Sequence, residues 1–385
     1  MHVAQIGFFN DPRQRRPPEL LEAWTTLVDV AEAAGLGGVR VSVVQASAHP
    51  GHLERGGVHY YFRSFGEPPG APDLRALCEL LRELAPDILH VHGLDFPRQV
   101  LALAARAPGI AIVLQDHASR APRLWRRALF RRALAGTSGI AFCAYEQAQP
   151  FISAGLLPDL SCVYEIPEST SRFTPGGQAA ARTLTEMEGE PAVLWVGHLD
   201  SNKDPLTVLA GISAAARELP GLRLYCCFGV APLLPQVEHA IDADPLLRER
   251  VRLLGRVPHA RIEQLMRAAD IFVLGSHREG SGYALIEALA CGLPPVVTDI
   301  PSFRALMGRG AIGALWSCGD AAAFAAALLR IARQSGPAMR ALVRAHFDRE
   351  LSFAALGAKL AAMYADVLER RGRTGASPCA SPGNA

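Results

Sequence analysis

Two glutamates, Glu279 and Glu287, stand eight positions apart in the stretch Ala269 to Asp299, ADIFVLGSHREGSGYALIEALACGLPPVVTD. The residues around them give that spacing a use. Ile271 to Leu274 is a strand-like apolar run, and Gly275 to Gly282 is a polar loop. Tyr283 to Cys291 has helical periodicity, and Pro295 to Thr298 reads as the next strand. Gly292 suits the helix stop, with Pro294 behind it. A helix N-terminus offers backbone N–H groups and a partial positive charge, so it draws phosphate. Gly280 and Gly282 let the main chain come close to a ligand. Helical side chains lean toward the N-terminus, so Glu287 reaches back along the ligand while Glu279 projects from the loop on the far side. A ligand with its diphosphate at the helix start, amid Gly280, Ser281, Gly282, Tyr283 and Ala284, would meet a carboxylate at each end. Carboxylates pair with hydroxyls, and a nucleotide-sugar carries sugar hydroxyls at both ends. The plainer alternative is a solvated Glu279 and an exposed Glu287. Against it, Leu285, Ile286, Ala288 and Leu289 flank Glu287 and argue for partial burial.

A second stretch, VGHLDSNKDP from Val196 to Pro205, joins a strand to a helix. Lys203 sits at the helix entry, a mildly unfavourable place for a cation unless an anion binds there. Three histidines, His90, His92 and His117, fall at strand ends in the first half. His90 and His92 could share a strand face and a metal, but no third ligand has suitable spacing, so no metal site is expected. His90 reads as packed. His117, after Gln115 and Asp116, is placed to contact a sugar or move a proton. Gly308 to Gly313 matches GxGxxG literally but neither follows a strand nor opens a helix, so it is set aside as a dinucleotide loop.

These residues hang on a repeated alternation of strand and helix. Strands are expected at Val3–Phe9, Val39–Val44, Ile88–His92, Ile110–Leu114 and Gly139–Cys143, with helices at Leu20–Ala34, Leu74–Leu84, Val100–Ala107 and Leu124–Leu134. The pattern lapses in Ile166–Gly189, which reads as a linker, and restarts at Val193. This predicts two α/β domains, 1–168 and 190–346, each a parallel sheet wrapped by helices. A final helix at 347–369 is expected to return to the first domain, and 370–385 to be a disordered tail. Ligands of such sheets sit at the carboxyl ends of strands, which brings forward Asn10 and His92 as well.

Composition narrows the function. Of 385 residues, 39 are Lys or Arg and 37 Asp or Glu, a net charge of +2 that gives no case for nucleic acid as a partner. The eight cysteines form no CxxC pair, which suits a reducing compartment and a cytoplasmic location. No secretory leader is read at the start and no run of about 18 apolar residues suggests a membrane span. The segment Arg120–Arg132, RAPRLWRRALFRR, carries six arginines beside Leu124, Trp125, Leu129 and Phe130. It reads as an amphipathic helix in water, with peripheral contact to an anionic membrane as the alternative.

Taken together these motifs resemble the family-four retaining glycosyltransferases, which have the GT-B fold: two Rossmann-like α/β domains with parallel sheets facing across a cleft. The likeness covers most of the chain and is strongest from Val193 to Asp299. VGHLDSNKD stands where the family has its glycine–arginine–leucine loop and lysine, LLGRVPH where its base-side segment lies, and EGSGYALIE where its paired glutamates lie. The resemblance implies that Glu279 contacts the donor sugar and Glu287 the ribose. Lys203, His198, Gly280, Ser281, Gly282, Tyr283 and Ala284 would take the diphosphate, with Arg256 and Val257 beside the base. DILHVHG and the His117 tip would face acceptor and sugar, with Asn10 and His92 on the acceptor side. It implies a UDP- or GDP-linked donor, no cofactor or required metal, and a saccharide, lipid-linked or small-molecule acceptor. Catalysis would fall to Glu279, His117 and Lys203. The sequence departs from the family where His198 replaces arginine, where GFFNDPRQRR replaces a glycine-rich first loop, and where Glu168-Ser169 replaces asparagine-glycine. An epimerase or phosphorylase of the same fold, and a catalytically inactive nucleotide-sugar-binding partner subunit, are the competing expectations.

Overall fold

The computed structural model describes residues 1–65 and 74–374. The chain divides into two compact units, Met1–Thr170 joined by the chain from Phe353 onward, and Ser171–Ser352.

The first unit holds eight strands: β1 His2–Gly7, β2 Arg40–Ala46, β3 Gly51–Arg55, β4 Val58–Arg63, β5 Ile88–His92, β6 Ala111–Gln115, β7 Gly139–Phe142 and β8 Val163–Glu165. Their order is β3-β4-β2-β1-β5-β6-β7-β8. All pairs are parallel except β3 with β4, an antiparallel hairpin turning at Gly56 and Gly57. This hairpin is absent from the alternation expected above. Its signal is present in the sequence: Val58, Tyr60 and Phe62 are buried alternately after a Gly-Gly turn. Central β1 is buried at every position, as a strand covered on both faces must be.

One face of this sheet is closed by the helices Thr25–Leu36 and Phe353–Thr374. They cross at glycines: a Cβ on Gly37 would lie 2.3 Å from the Gly357 carbonyl oxygen, and one on Gly357 would lie 2.1 Å from that of Ala33. The two backbones touch, which only glycine permits. Leu356, Leu360, Met363, Tyr364 and Val367 of the last helix then bury against Val3, Val43, Ile88 and Val113. Each such side chain contributes about 1.5–3 kcal/mol when fully buried.

The second unit holds β9 Ala192–Val196, β10 Arg223–Cys227, β11 Val251–Gly255, β12 Ile271–Leu274, β13 Pro295–Thr298 and β14 Ala314–Trp316. They form an all-parallel sheet in the order β11-β10-β9-β12-β13-β14. The order reverses between β9 and β12, and both lead at their carboxyl ends into the loops singled out above. That is the switch point at which open α/β sheets bind ligands.

Several boundaries differ from expectation. The expected helix Leu20–Ala34 is two, Pro17–Ala23 and Thr25–Leu36, broken at Trp24. The arginine segment is helical only from Leu124, as a 3₁₀ turn and then Arg127–Ala135. Pro122 keeps the preceding residue out of helical geometry. The expected linker contains the helix Gln178–Thr185 packed on His259–Ala268, and Glu168 to Ser171 are buried. Residues 347–350 end the helix Pro337–Glu350 in the second unit; the returning helix starts at Phe353 and runs to Thr374, through the start of the expected tail. Residues 375–385 of that tail lie outside the described residues. The stretch 337–372 is long and apolar enough on average to span a membrane, with a mean hydropathy of 1.4 over its best window. It is two helices interrupted at Leu351–Ser352 and packed on protein through Val343, Phe347, Leu356 and Leu360.

Candidate functional site

At the carboxyl end of β9 the chain folds into a turn held by Asp200, whose Oδ1 accepts the Asn202 and Lys203 N–H groups at 3.0 and 2.9 Å. Asp204 then caps the helix Pro205–Ala216 by accepting Thr207 N–H. The loop after β12 lies directly on this turn. A Cβ on Gly275 would sit 2.9 Å from the Lys203 carbonyl oxygen. His277 N–H donates to Asn202 O at 2.7 Å, and Asn202 Nδ2 donates to Arg278 O at 2.9 Å. Two loops 76 residues apart are thereby stitched into one, and Lys203 Nζ forms an ion pair with Glu279 Oε1. The pair is mostly shielded, with 17% and 14% of the side chains exposed, so the charges are held rather than left to wander in solvent.

Gly282 caps the helix Tyr283–Ala290 with φ of +60°, and a Cβ there would approach the Phe303 ring to 2.9 Å. Both facts require glycine. A glycine cap brings no side-chain oxygen to the first-turn amides, which leaves that helix end suited to an outside anion. Ser281 and Tyr283 flank the cap, Gly280 is buried, and Ala284 is half-buried. Glu287, one turn further on, is buried and hydrogen-bonded to His259 Nε2. Burial raises the Glu287 carboxyl above its ordinary range, and the His259 contact works in the opposite direction. His259 is half exposed, and its ring lies 4.7 Å from that of Phe173. On the other side of β9, His198, Arg256 and Val257 line one cavity of about 240 Å³ with Gly197, Phe228 and Ile262. His198 Nδ1 accepts Val230 N–H at 3.3 Å.

The first unit gathers its own cluster at the carboxyl ends of β5 and β6. His92 Nδ1 faces His117 Nε2 at 3.2 Å, and His117 Nδ1 hydrogen-bonds Glu168 Oε2 at 2.7 Å. Behind them His90 is fully buried, stacks on His92 with ring centroids 4.7 Å apart, and meets the Tyr364 hydroxyl at 2.7 Å. Burial lowers His90 to about 3 and takes His92 well below the ordinary histidine value. Burial would lower His117 too, but Glu168 and Asp116 outweigh it and raise it. Asp116 is pushed up to about 6 by burial, against the Ser119 N–H hydrogen bond. Asn10 is exposed just past β1.

The structure thus brings Lys203, Glu279, Gly280, Ser281, Gly282, Tyr283 and Ala284 together, and separately His92 with His117. Three neighbours of these residues were given no site role by the sequence: Phe173, His259 at the end of LLGRVPH, and Glu168, noted only as a departure from the family's asparagine. His259 opens a helix 28 residues before Glu287, and Glu168 lies 51 residues after His117. Spacing alone could not pair them. Among the described residues, no three of His, Cys, Asp and Glu converge as a metal site. All described cysteines are free, and all but Cys318 are buried.

Comparison with known proteins agrees. A family model described as Glycosyl transferases group 1 matches residues 190–334, and one described as Glycosyltransferase Family 4 matches 23–159. A GDP-mannose:cellobiosyl-diphosphopolyprenol alpha-mannosyltransferase of Xanthomonas oryzae pv. oryzae is 28% identical over 60% of this chain and 60% of its own length. A D-inositol 3-phosphate glycosyltransferase of Thermobispora bispora is 29% identical over 52% of this chain, so the match spans about half (49%) of that relative. A 2-deoxystreptamine N-acetyl-D-glucosaminyltransferase of Streptomyces fradiae is 27% identical over 77% of this chain and 72% of its own. Among solved structures, a glycosyltransferase of Rickettsia africae aligns with a TM-score of 0.70 at 12% identity, covering 96% of this chain and 98% of its own. Anabaena HepE, in complex with UDP and glucose, aligns at 0.65 and 16%, covering 95% and 100%. At such identities these two speak for the GT-B fold alone.

Proposed function

We propose that this chain, which belongs to the family-four, group 1 glycosyl transferases, moves a sugar from a nucleotide-diphosphate donor to a hydroxyl acceptor. The observation that carries the reading is the Lys203–Glu279 pair, held beside a helix capped by Gly282. A cation and a glycine-capped helix end suit a diphosphate leaving group, and a carboxylate suits the hydroxyls of the sugar it leaves. Lys203 and the amides from Ser281 to Ala284 would stabilise charge as the bond from anomeric carbon to diphosphate breaks. Glu279 would orient the sugar, and Glu287 would take the ribose after exchanging its His259 contact for ribose hydroxyls. His198, Arg256 and Val257 would border the base.

The family resemblance favours retention at the anomeric carbon and no required metal. The acceptor oxygen would attack on the face the diphosphate leaves, and a donor phosphate oxygen would take the acceptor's proton. One relative is named for GDP-mannose and a diphosphopolyprenol, and HepE was solved with UDP and with UDP-glucose, so GDP and UDP come first among bases. A lipid-linked acceptor would suit a cytoplasmic enzyme at a membrane face. Leu124 and Trp125 are 76% and 77% exposed beside Arg120, Arg123, Arg126 and Arg127, an apolar wedge with basic neighbours.

The first test is a melting-temperature screen with UDP, GDP, ADP and their sugar conjugates, without metal and then with Mg²⁺. A ligand that binds only the folded state raises the melting temperature by mass action. A metal-independent rise with one nucleotide, lost in Lys203→Ala, supports the reading; no rise with any nucleotide in folded protein overturns it. Membrane contact is read separately, by co-sedimentation with vesicles containing phosphatidylglycerol; Trp125→Ala and Leu124→Ala should weaken it.

A further inference from the structure

We infer that Glu168 is a positioning residue for His117, fixing its tautomer and charge so that Nε2 is the nitrogen presented to substrate, with His92 as its resting partner. The inference rests on the glycosyltransferase reading for what His117 does, but not for what Glu168 does to it. A carboxylate only accepts, so the 2.7 Å contact places a proton on His117 Nδ1. Glu168 is 7% exposed, so this is a shielded charge beside the ring rather than a solvated one. Where the resemblance places a neutral asparagine, this chain has a carboxyl side chain.

Nε2 faces His92 Nδ1 at 3.2 Å, and one of these two nitrogens must bring the hydrogen. His92 is held neutral by its burial. When His117 is charged, its Nε2–H donates to His92 Nδ1, and the proton of His92 is forced onto its own Nε2. That atom is buried and has no hydrogen-bond partner among the described residues. When His117 is neutral, His92 Nδ1–H is the donor and its Nε2 an unpaired acceptor. Either way one buried nitrogen of His92 is left unsatisfied. A substrate oxygen that accepts the His117 Nε2–H takes the place of His92 Nδ1. The groups facing His117 are His90 and His92 from β5, Asp116 after β6 and Glu168 after β8, with Cys143 after β7 beside the two carboxylates. The Cys143 thiol is pushed up by burial and by Glu168. The two carboxylates raise His117 toward its charged form, and of the two Glu168 alone hydrogen-bonds it.

The test begins without substrate. Histidine-labelled protein is titrated by NMR between pH 5 and 9, with the His117 resonance identified by its loss in His117→Gln. In Glu168→Gln, which keeps the hydrogen-bonding shape and removes the charge, the His117 midpoint should move to lower pH. In Glu168→Asp it should return most of the way. An unmoved midpoint in folded Glu168→Gln overturns the inference. With donor and acceptor in hand, kcat/KM should decline on the alkaline side as His117 loses its proton. Glu168→Gln should bring that decline to lower pH, costing about tenfold at pH 8, as one unit of proton affinity does. Donor KM should stay unchanged, and an unmoved alkaline limb would again overturn the role. If the wild type transfers no sugar, the functional reading falls, and the titration alone still decides for or against Glu168.

Discussion

The two units hold their polar groups in opposite ways. In the second unit the candidate site is made of backbone: a glycine cap, a turn stitched by Asp200, and loops in main-chain contact at Gly275. Its charges are borrowed from Lys203 and Glu279, which partner each other. In the first unit the cluster is made of side chains in contact: three histidines, a tyrosine and two carboxylates, on strand ends and a returning helix. A turn and a helix end built from backbone carry no group that titrates. In the first unit, His117 and Asp116 are both raised from their ordinary values, Asp116 to about 6, so the cluster is the more sensitive to proton concentration. The difference suggests a division of labour, an anion-holding half and a proton-sensitive half, and it can be broken experimentally.

The largest effect is expected in the second unit. Glu279→Ala and Lys203→Ala should each lower kcat/KM by about 100-fold or more, the cost of removing one group aimed at developing charge. Circular dichroism and melting temperature should be nearly unchanged. Full activity in both variants would remove this site from the mechanism.

Asp116 tests the first unit's sensitivity. Its folded value near 6 lies above the ordinary 3.8, so folding favours the protonated form. Stability from this group is present below pH 4 and is lost as pH rises through 6. Asp116→Asn should therefore match wild type at pH 4 and exceed it by up to on the order of 3 kcal/mol at pH 8. Melting curves at both pH values decide this, and an equal offset at the two would show that charge is not the cause.

Gly357→Ala should destabilise the first unit by about 1–3 kcal/mol through overpacking against Ala33, readable as a lower denaturation midpoint. A variant as stable as wild type would mean that the two helices separate easily. The smallest effect is expected at His259. His259→Ala should lower the donor KM several-fold at pH 7 with kcat little changed, since the ribose hydroxyls no longer have to displace His259 from the buried Glu287 carboxylate. A change in kcat alone would place His259 in the chemical step instead.

How much of this was legible in the sequence follows the same contrast. The Glu279–Glu287 unit could be read because every part of it lies within one strand–loop–helix–strand segment, and periodicity and glycine placement are local signals. Lys203 was legible too, since a cation at a helix entry is anomalous where it stands. The pairing of Lys203 with Glu279 was not, because it depends on β9 and β12 being neighbours in the sheet. His117 and His92 were visible as polar residues at strand ends, yet Glu168 was hidden in a segment rich in Pro, Ser and Thr that reads as linker. Its burial comes from the sheet edge at β8, a non-local fact. The hairpin Gly51–Arg63 had its signal in the sequence, but the rhythm of strand and helix on either side drew the reading past it.

The crossing of Gly37 and Gly357 has a consequence for anyone who would recombine this chain with its relatives. The last helix closes the first sheet, so the second unit, Ser171–Ser352, is an insertion between two parts of the first. A chimera joined once, near residue 170, would bring a foreign closing helix against Ala33 and Gly37 and would need glycine at the crossing. Exchanging the second unit therefore calls for two junctions, near 170 and 352, treating it as a cassette. A fragment ending at residue 170 would carry Val3, Val43, Ile88 and Val113 to the surface, and such a fragment is an aggregation hazard rather than a domain.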